Sequence, residues 1–144
     1  MLIVTCAIIV HEGKILICQR SSTMNLPMKW EFPGGKVEPG EDDTATIVRE
    51  IKEELHLDVE IVKRLEPVEH TYPTFRIRLV PFVMHVLGGE LLLEEHADAK
   101  WVTVDDLDRY DLAPADIPVV QQLKAEPITE RWTSARQRGQ KALN

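Results

Sequence analysis

The sequence predicts an α+β domain in which a mixed β-sheet lies between helices. Apolar, β-branched runs of strand length fill the first and middle parts of the chain. One long helical pattern interrupts these runs, and a second helix follows them near the end. Strand runs separated by helices in this way are typical of α+β folds and mixed sandwiches. At 144 residues the chain has the length of a single domain.

The composition is that of an ordinary globular protein, with 44% apolar and 28% charged residues. A net charge of −7 argues against a nucleic-acid or membrane-surface binder. Two cysteines, Cys6 and Cys18, make no disulfide framework and are expected to be buried thiols. Because no targeting segment is visible, we expect a cytoplasmic protein.

The first strands lead into a glycine turn. Two apolar runs at 2–10 and 14–20 are joined by a hairpin signal at 11–13, and a short strand follows at 30–32. Next comes Pro33-Gly34-Gly35-Lys36, where glycine lets backbone approach a ligand closely and lysine can meet a phosphate. Arg20 ends the second strand, where a surface ion pair is its simplest role.

A helix is predicted from Asp42 onward, with apolar positions three or four residues apart at Ala45, Val48, Ile51 and Leu55.

The same helix carries a cluster of carboxylates. Glu50, Glu53 and Glu54 stand at i, i+3 and i+4, so they share one face and repel one another unless a cation lies between them. Oxygen ligands at this density suit Mg²⁺, with Mn²⁺ a possible substitute. The simpler alternative is a solvated acidic face.

The second half of the chain is predicted to return to strands. The expected elements are strands at 59–68, 76–87 and 101–104, a short helix at 105–109 and a last helix at 119–124. Pro81 within the longest strand indicates a sheet edge or a bulge there. Residues 128–144 suggest a basic amphipathic helix or tail appended to a domain spanning 1–127.

The helix and the turn before it resemble the signature of the Nudix hydrolase family, G-x5-E-x7-R-E-U-x-E-E-x-G-U, where U is a bulky apolar residue. The positions that match in register are Gly35, Glu41, Arg49, Glu50, Ile51, Glu53, Glu54 and Leu57. His56 replaces the glycine of the signature. That position follows the helix end, so we expect His56 to adopt a left-handed conformation.

The resemblance implies the Nudix fold and cleavage of a nucleoside diphosphate linked to another group. For a MutT-like member, a nucleoside triphosphate and water become monophosphate and pyrophosphate. It also implies that the Gly34 carbonyl with Glu50, Glu53 and Glu54 holds Mg²⁺. The same comparison makes Arg49 the residue that orients the glutamates, and Glu53, Glu50 or Glu95 the general base. Glu94 stays an alternative to Glu95, and Glu41 is expected to support the helix.

The resemblance further places Arg20 and Lys36 on the phosphates. Tyr72 and Phe75 could stack on the base, although aromatic strand residues also pack in cores. Residues 112–118 resemble bacterial CTP pyrophosphohydrolases more closely than MutT, and there Asp116 would read the base edge or cap the last helix. An ionised aspartate accepts hydrogen bonds only, which favours the N4 amine of cytosine.

The expected partner is therefore a small nucleotide, bound by a monomer or homodimer. The alternatives are an 8-oxo-dGTP sanitiser of the MutT type and a Nudix-fold nucleotide sensor without catalysis. His96 could be a proton-transfer group, but a histidine in a loop is more often simply exposed, which is the expectation here.

Overall fold

The computed structural model describes residues 1–126, so the tail predicted at 128–144 lies outside the described residues. In this part the elements are β1 (Leu2–His11), β2 (Lys14–Gln19), β3 (Trp30–Glu31), β4 (Gly34–Lys36), α1 (Asp43–Leu55), β5 (Leu57–Arg64), β6 (Val68–Thr71), β7 (Arg76–Gly89), β8 (Asp98–Val102) and α2 (Ile117–Ala125). Two 3₁₀ turns, Asp105–Arg109 and Pro114–Asp116, precede α2. No helix within these residues is long and apolar enough to cross a membrane.

The strands form one mixed sheet, as predicted. Its order is β3-β2-β1-β7-β5, with β4 on β1, β6 on β7 and β8 on β2. The central pair β1 and β7 is parallel, from Leu2 opposite Ile77 to Val10 opposite His85. The other pairs are antiparallel.

The glycine turn lies where β1 and β2 separate. These strands pair only near their hairpin, at Val10–Ile15 and His11–Lys14. Beyond it, residues 30–36 enter the gap, with β3 on β2 and β4 on β1. The separation therefore places the turn at the middle of the sheet, in front of α1.

Each face of the sheet carries its own core. Cys6, Ile8 and Val10 of β1 pack on the α2 side, and Ala7 and Ile9 pack on the α1 side. A strand covered on both faces reads as a continuous apolar run, which is the pattern of residues 2–10. The two cysteines are buried free thiols, as predicted.

The stripe that α1 buries differs from the predicted one. Its buried residues are Thr46, Ile47, Ile51 and Leu55, whereas Ala45 and Val48 are exposed. Ile47, Ile51 and Leu55 follow one another at steps of four, and this row faces the sheet. The prediction for His56 is confirmed, since its φ of 61° and ψ of 26° are left-handed.

One prediction about the strands was wrong, and another was wrong in part. The run at 59–68 is divided into β5 and β6, because Pro67 follows Leu65 and Glu66 in the connection. Pro81 lies inside the central strand β7 rather than at an edge, although the register of β5 on β7 shifts nearby, opposite Met84 and Val83. It is tolerated because the antiparallel partner of β7 changes there from β6 to β5, and the Pro81 carbonyl still accepts the Leu65 N–H at 2.9 Å.

Candidate active site

A cavity of about 560 Å³ opens beside the glycine turn. Its walls come from distant parts of the chain: β1, the loop after β2, the glycine turn, the end of α1, the β6–β7 connection and the 3₁₀ turn before α2. Volumes of this size are typical of small-molecule sites. Seven of the predicted site residues line it, namely Arg20, Gly34, Lys36, Glu54, Tyr72, Phe75 and Asp116.

The other predicted residues lie behind or beside this cavity, and Arg49 holds most of them together. Its guanidinium donates to both oxygens of Glu41, at 2.8 and 2.9 Å. It also donates to Glu50 at 3.2 Å and to Glu53 at 3.0 Å. The Arg49 contact lowers the pKa of Glu41 to about 2. Arg49 therefore orients the acidic face, and Glu41 supports it from the turn.

Of the three helix glutamates Glu50, Glu53 and Glu54, only Glu54 lines the cavity. Burial, together with the nearby carboxylates of Glu50, Glu31 and Glu95, raises its pKa to about 8. Its Oε2 is buried and has no hydrogen-bond partner among the described residues. A buried carboxylate oxygen without a donor is costly unless a cation meets it.

The surroundings of the glycine turn fit a bound cation. A Cβ on Gly35 would lie 2.2 Å from the Glu50 carboxyl carbon, so only glycine lets the turn approach this carboxylate. The Thr5 hydroxyl donates to the Gly35 carbonyl at 2.9 Å and holds the turn in place. Among residues 1–126 no three His, Cys, Asp or Glu side chains converge into a ready metal cluster. Arg49 instead engages Glu50 and Glu53, and a cation would have to compete with it.

The loop before β8 brings further charges to the end of α1. The backbone N–H of Glu94 donates to the Glu54 carbonyl at 3.2 Å. The Glu94 side chain pairs with His56 at 2.5 Å. Glu95 acts on the pKa of Glu54 through its charge. Of the two alternatives, Glu94 is thus engaged elsewhere and Glu95 faces the acidic cluster.

Another part of the cavity wall is aromatic. The rings of Tyr72 and Phe75 stack with centroids 5.0 Å apart, and Phe75 is 42% exposed. Asp116 is buried beside them, and its Oδ2 accepts the Phe32 N–H at 3.2 Å. It makes no side-chain cap on α2, so that alternative was wrong.

Burial also changes the charge expected for Asp116. Desolvation raises the pKa of this carboxyl well above its ordinary value, and the nearby charge of Glu31 adds to the effect. Such a shift favours the neutral, protonated carboxyl over the ionised one. A protonated carboxyl can donate as well as accept, so the argument from an ionised aspartate stays a prediction.

Sequence reasoning missed Glu31 and misjudged His96. Glu31 lies at the cavity wall, and its Oε1 accepts from Arg20 at 2.7 Å while its Oε2 faces His96 Nε2 at 2.8 Å. The His96 side chain is 1% exposed rather than exposed on its loop. A carboxylate in the apolar strand Trp30-Glu31-Phe32 was the one available signal for this cluster.

Comparison with known proteins agrees with this geometry. The family description "NUDIX domain" matches residues 1–123. The chain is 34% identical over 125 residues to a CTP pyrophosphohydrolase of Escherichia coli K12, covering 87% of this chain and 93% of that protein. It is 32% identical to an 8-oxo-dGTP diphosphatase of the same organism, with coverages of 79% and 88%.

Solved structures give the same result. The E. coli ORF135 protein superposes with a TM-score of 0.75 at 35% identity, covering 90% of this chain and 95% of that one. A MutT protein from methicillin-resistant Staphylococcus aureus 252 has a TM-score of 0.71 at 38% identity, with coverages of 87% and 96%. The chain belongs to the Nudix hydrolase family. It is an enzyme that acts on phosphoric anhydride bonds, and its fold is the α+β Nudix fold.

Proposed function

We propose that this Nudix hydrolase is a Mg²⁺-dependent nucleoside triphosphate pyrophosphohydrolase that converts a (d)NTP and water to (d)NMP and pyrophosphate. The observation that carries the proposal is the cavity itself. It is lined by Glu54 and by the two cationic side chains of Arg20 and Lys36. The aromatic rings described above and the buried Asp116 carboxyl line it as well. A triphosphate needs cationic and metal contacts at one end, and a base needs a stacking surface and an edge reader at the other.

At the anhydride end, the proposed metal ligands are Glu50, Glu53, Glu54 and the Gly34 carbonyl. Mg²⁺, or Mn²⁺ in its place, supplies a Lewis acid that lowers the pKa of a bound water and offsets phosphoryl charge. Glu53 is the first candidate for the general base, because its side chain is 58% exposed and its one ion-pair partner among residues 1–126 is Arg49.

Glu50 and Glu95 remain candidates for the general base as well. In a cluster of carboxylates this close, the titration belongs to the group rather than to one residue. Lys36 and Arg20 bind and orient the phosphates, and neither needs to move a proton.

At the base end, Tyr72 and Phe75 stack on the base and Asp116 meets its edge. A protonated carboxyl pairs with the N4 amine and N3 of cytosine, donating one hydrogen bond and accepting another. It pairs equally well with the N1–H and O6 of guanine. Asp116 alone therefore does not choose the base. The preference that we propose, for CTP, dCTP or modified cytosine nucleotides, is supported by the relative named CTP pyrophosphohydrolase, of which the chain covers 93%.

The second candidate is an 8-oxo-dGTP diphosphatase, supported by the relatives that carry this name, including one from Mycobacterium tuberculosis at 36% identity. A nucleotide sensor without catalysis is disfavoured, because the chain keeps Glu50, Glu53 and Glu54 together with Arg49.

Product analysis tests the proposal. The purified protein with Mg²⁺ is given dCTP, CTP, 5-methyl-dCTP, 8-oxo-dGTP and ADP-ribose separately, and products are resolved by anion exchange. Monophosphate and pyrophosphate appearing fastest from the cytosine nucleotides support the full proposal. If 8-oxo-dGTP is cleaved fastest, the proposed reaction stands, but the protein is the second candidate, an 8-oxo-dGTP diphosphatase. Nucleotide binding without turnover of any compound overturns the reaction.

A further inference from the structure

We propose that His96 is a positioning residue for substrate binding, which holds Glu31 in place and, through Glu31, sets the guanidinium of Arg20 at the wall of the cavity. The role rests on the proposed function, because it takes Arg20 to be a phosphate contact. His96 is not among the residues that line the cavity, so its effect must pass through another side chain.

The contacts form a chain of three side chains that leads from the interior to the cavity. His96, whose side chain is 1% exposed, places Nε2 at 2.8 Å from Glu31 Oε2. The other oxygen of Glu31 accepts from Arg20 NH1 at 2.7 Å. The side chain of Glu31 is 16% exposed and that of Arg20 is 20% exposed, so water screens their ion pair poorly. Since a carboxylate only accepts, Nε2 is the nitrogen that carries hydrogen.

The second nitrogen of the ring makes the arrangement costly for stability alone. His96 Nδ1 is buried and has no hydrogen-bond partner among residues 1–126. An unpaired buried polar atom destabilises a fold, and an apolar side chain of similar volume would fill the site without that cost. A purely structural packing role therefore does not explain a histidine here. A role for the Nε2–H donor does.

That donor restricts what Glu31 can do. With Oε2 engaged by His96, Glu31 holds Arg20 through one oxygen. Without His96, both oxygens of Glu31 would be free to bind Arg20 as a bidentate pair, the geometry that arginine and carboxylate prefer. Such a pair would draw guanidinium donors away from the cavity. Arg20 is also held by the Asn25 carbonyl through its Nε, so its remaining donors are few.

The backbone places the imidazole firmly. The Glu94 N–H donates to the Glu54 carbonyl at 3.2 Å, and the Ala97 N–H donates to the Gln19 carbonyl at 2.9 Å. His96 therefore lies on a segment that is tied on one side to the end of α1 and on the other to β2. Because Glu95 is its neighbour, His96 could instead act on the acidic cluster, and the test has to separate these two routes.

The first measurement compares two variants of matched size. His96→Gln retains an N–H near the position of Nε2, whereas His96→Leu does not. For the nucleotide that the protein hydrolyses fastest, we expect His96→Leu to raise KM about tenfold with kcat within about twofold of the parent. His96→Gln should recover most of the parent KM. A fall in kcat at constant KM, or equal effects of Gln and Leu, overturns the proposal.

The second measurement repeats the comparison in an Arg20→Ala background. If His96 acts through Arg20, then His96→Leu changes KM by less than about twofold once Arg20 is absent. The same tenfold effect in both backgrounds would show that His96 acts through Glu95 or through the fold. His85→Leu is the control for loss of a buried imidazole, since His85 lies on β7 and does not line the cavity.

Two readouts remain if the variants fold poorly or if no nucleotide is hydrolysed. Long-range ¹H–¹⁵N NMR on the unaltered protein should show hydrogen on His96 Nε2, and hydrogen on Nδ1 alone would overturn the proposal. Calorimetric titration with CTP in Ca²⁺, without turnover, tests the coupling to Arg20 by affinity. If no nucleotide is hydrolysed but the effects of His96→Leu and Arg20→Ala on affinity are not additive, the proposed reaction is wrong and the role of His96 stands. If the two effects on affinity are additive, the proposed role of His96 is wrong.

Discussion

Arg49 is the residue on which the acidic face of α1 depends. One guanidinium contacts Glu41, Glu50 and Glu53 at once, and the three carboxylates keep it charged by raising its pKa. Arginine suits this role better than lysine, because its planar fork presents several donors in a fixed geometry. Arg49 thus fixes Glu50 and Glu53 on one face of α1 while no cation is bound.

Replacing Glu53 by Gln should lower turnover at least about 100-fold, because the amide neither accepts a proton from water nor binds a hard cation well. Steady-state hydrolysis with excess Mg²⁺ measures the change. The matched control is Glu90→Gln, an exposed glutamate beyond the end of β7, which should keep the parent rate. A near-normal rate for Glu53→Gln would remove this residue from the proposed catalytic set.

Replacing Asp116 by Asn should stabilise the protein, and more so at high pH. Because burial raises the pKa of Asp116 in the folded state, the folded protein keeps a proton that the unfolded chain loses above the ordinary aspartate pKa of about 4. Folding therefore costs more free energy as the pH rises above that value. Asparagine has no such term, and its side-chain oxygen can still accept the Phe32 N–H.

Urea denaturation of both proteins at pH 5 and pH 8 checks this expectation for Asp116. The gain from Asp116→Asn should be larger at pH 8. An equal difference at the two pH values would mean that the carboxyl is ionised in the folded protein, and the recognition of cytosine would then return to the amine-only argument.

Among the elements, the turn around β4 shows how two adjacent glycines serve different ends. A Cβ on Gly34 would lie 2.0 Å from the Thr5 carbonyl oxygen, which belongs to the backbone of β1. A Cβ on Gly35 would meet only the carboxyl end of Glu50, a side chain that can move. Gly34 therefore permits the close pairing of β4 with β1, and Gly35 leaves room for the Glu50 carboxylate.

The two alanine variants should separate these roles. Gly34→Ala should destabilise the fold by about 3 kcal/mol, since backbone must shift to admit it. Gly35→Ala should cost less than about 1 kcal/mol and still lower activity at least about tenfold, because Glu50 is displaced. Thermal melts and initial rates measure both.

Gly88→Ala is the control for the two turn variants. Its Cβ would lie 3.9 Å from the nearest neighbouring atom, so neither stability nor rate should change much. Full activity in folded Gly35→Ala would contradict the role given to Glu50.

For α1, the apolar periodicity predicted the helix correctly but did not predict which of its residues are buried. Val48 fits the apolar pattern and is 39% exposed, while Thr46 is buried and donates to Glu41 at 2.7 Å. Threonine enters the buried stripe because its hydroxyl has a partner. A pattern based on apolar residues alone does not register such a pairing.

In the molecule as a whole, the site exists because β1 and β2 separate and residues 30–36 fill the gap. This arrangement brings Arg20, the glycine turn and the end of α1 into one cavity with Tyr72 and Asp116. Repulsion among the glutamates and the unpaired oxygen of Glu54 make the ion-free state less stable than it could be. A cation should therefore stabilise the entire fold.

Mg²⁺ should raise the melting temperature of the protein, and EDTA should reverse the rise. At a concentration 100 times its Kd, a ligand of the folded state adds about 2.7 kcal/mol, which shifts the melting of a domain of this size by several degrees. Glu54→Gln should lose most of the shift, while Glu90→Gln should keep it. Scanning calorimetry across a Mg²⁺ series measures both, and an unchanged melting temperature in the parent would count against the proposed site.

The sequence by itself determined the family, the reaction class and the left-handed end of α1 at His56. The family and the reaction class follow from the resemblance to the Nudix signature. The left-handed residue follows from local structure, because helix ends have few conformations. Only the tertiary structure decided the burial that raises the pKa of Asp116, the contact between His96 and Glu31, and the tolerance of Pro81 in a central strand. Each of these depends on burial or on a partner far away in the chain, 65 residues in the case of His96 and Glu31. The spacing of residues along a sequence does not show how far such a contact is buried from water.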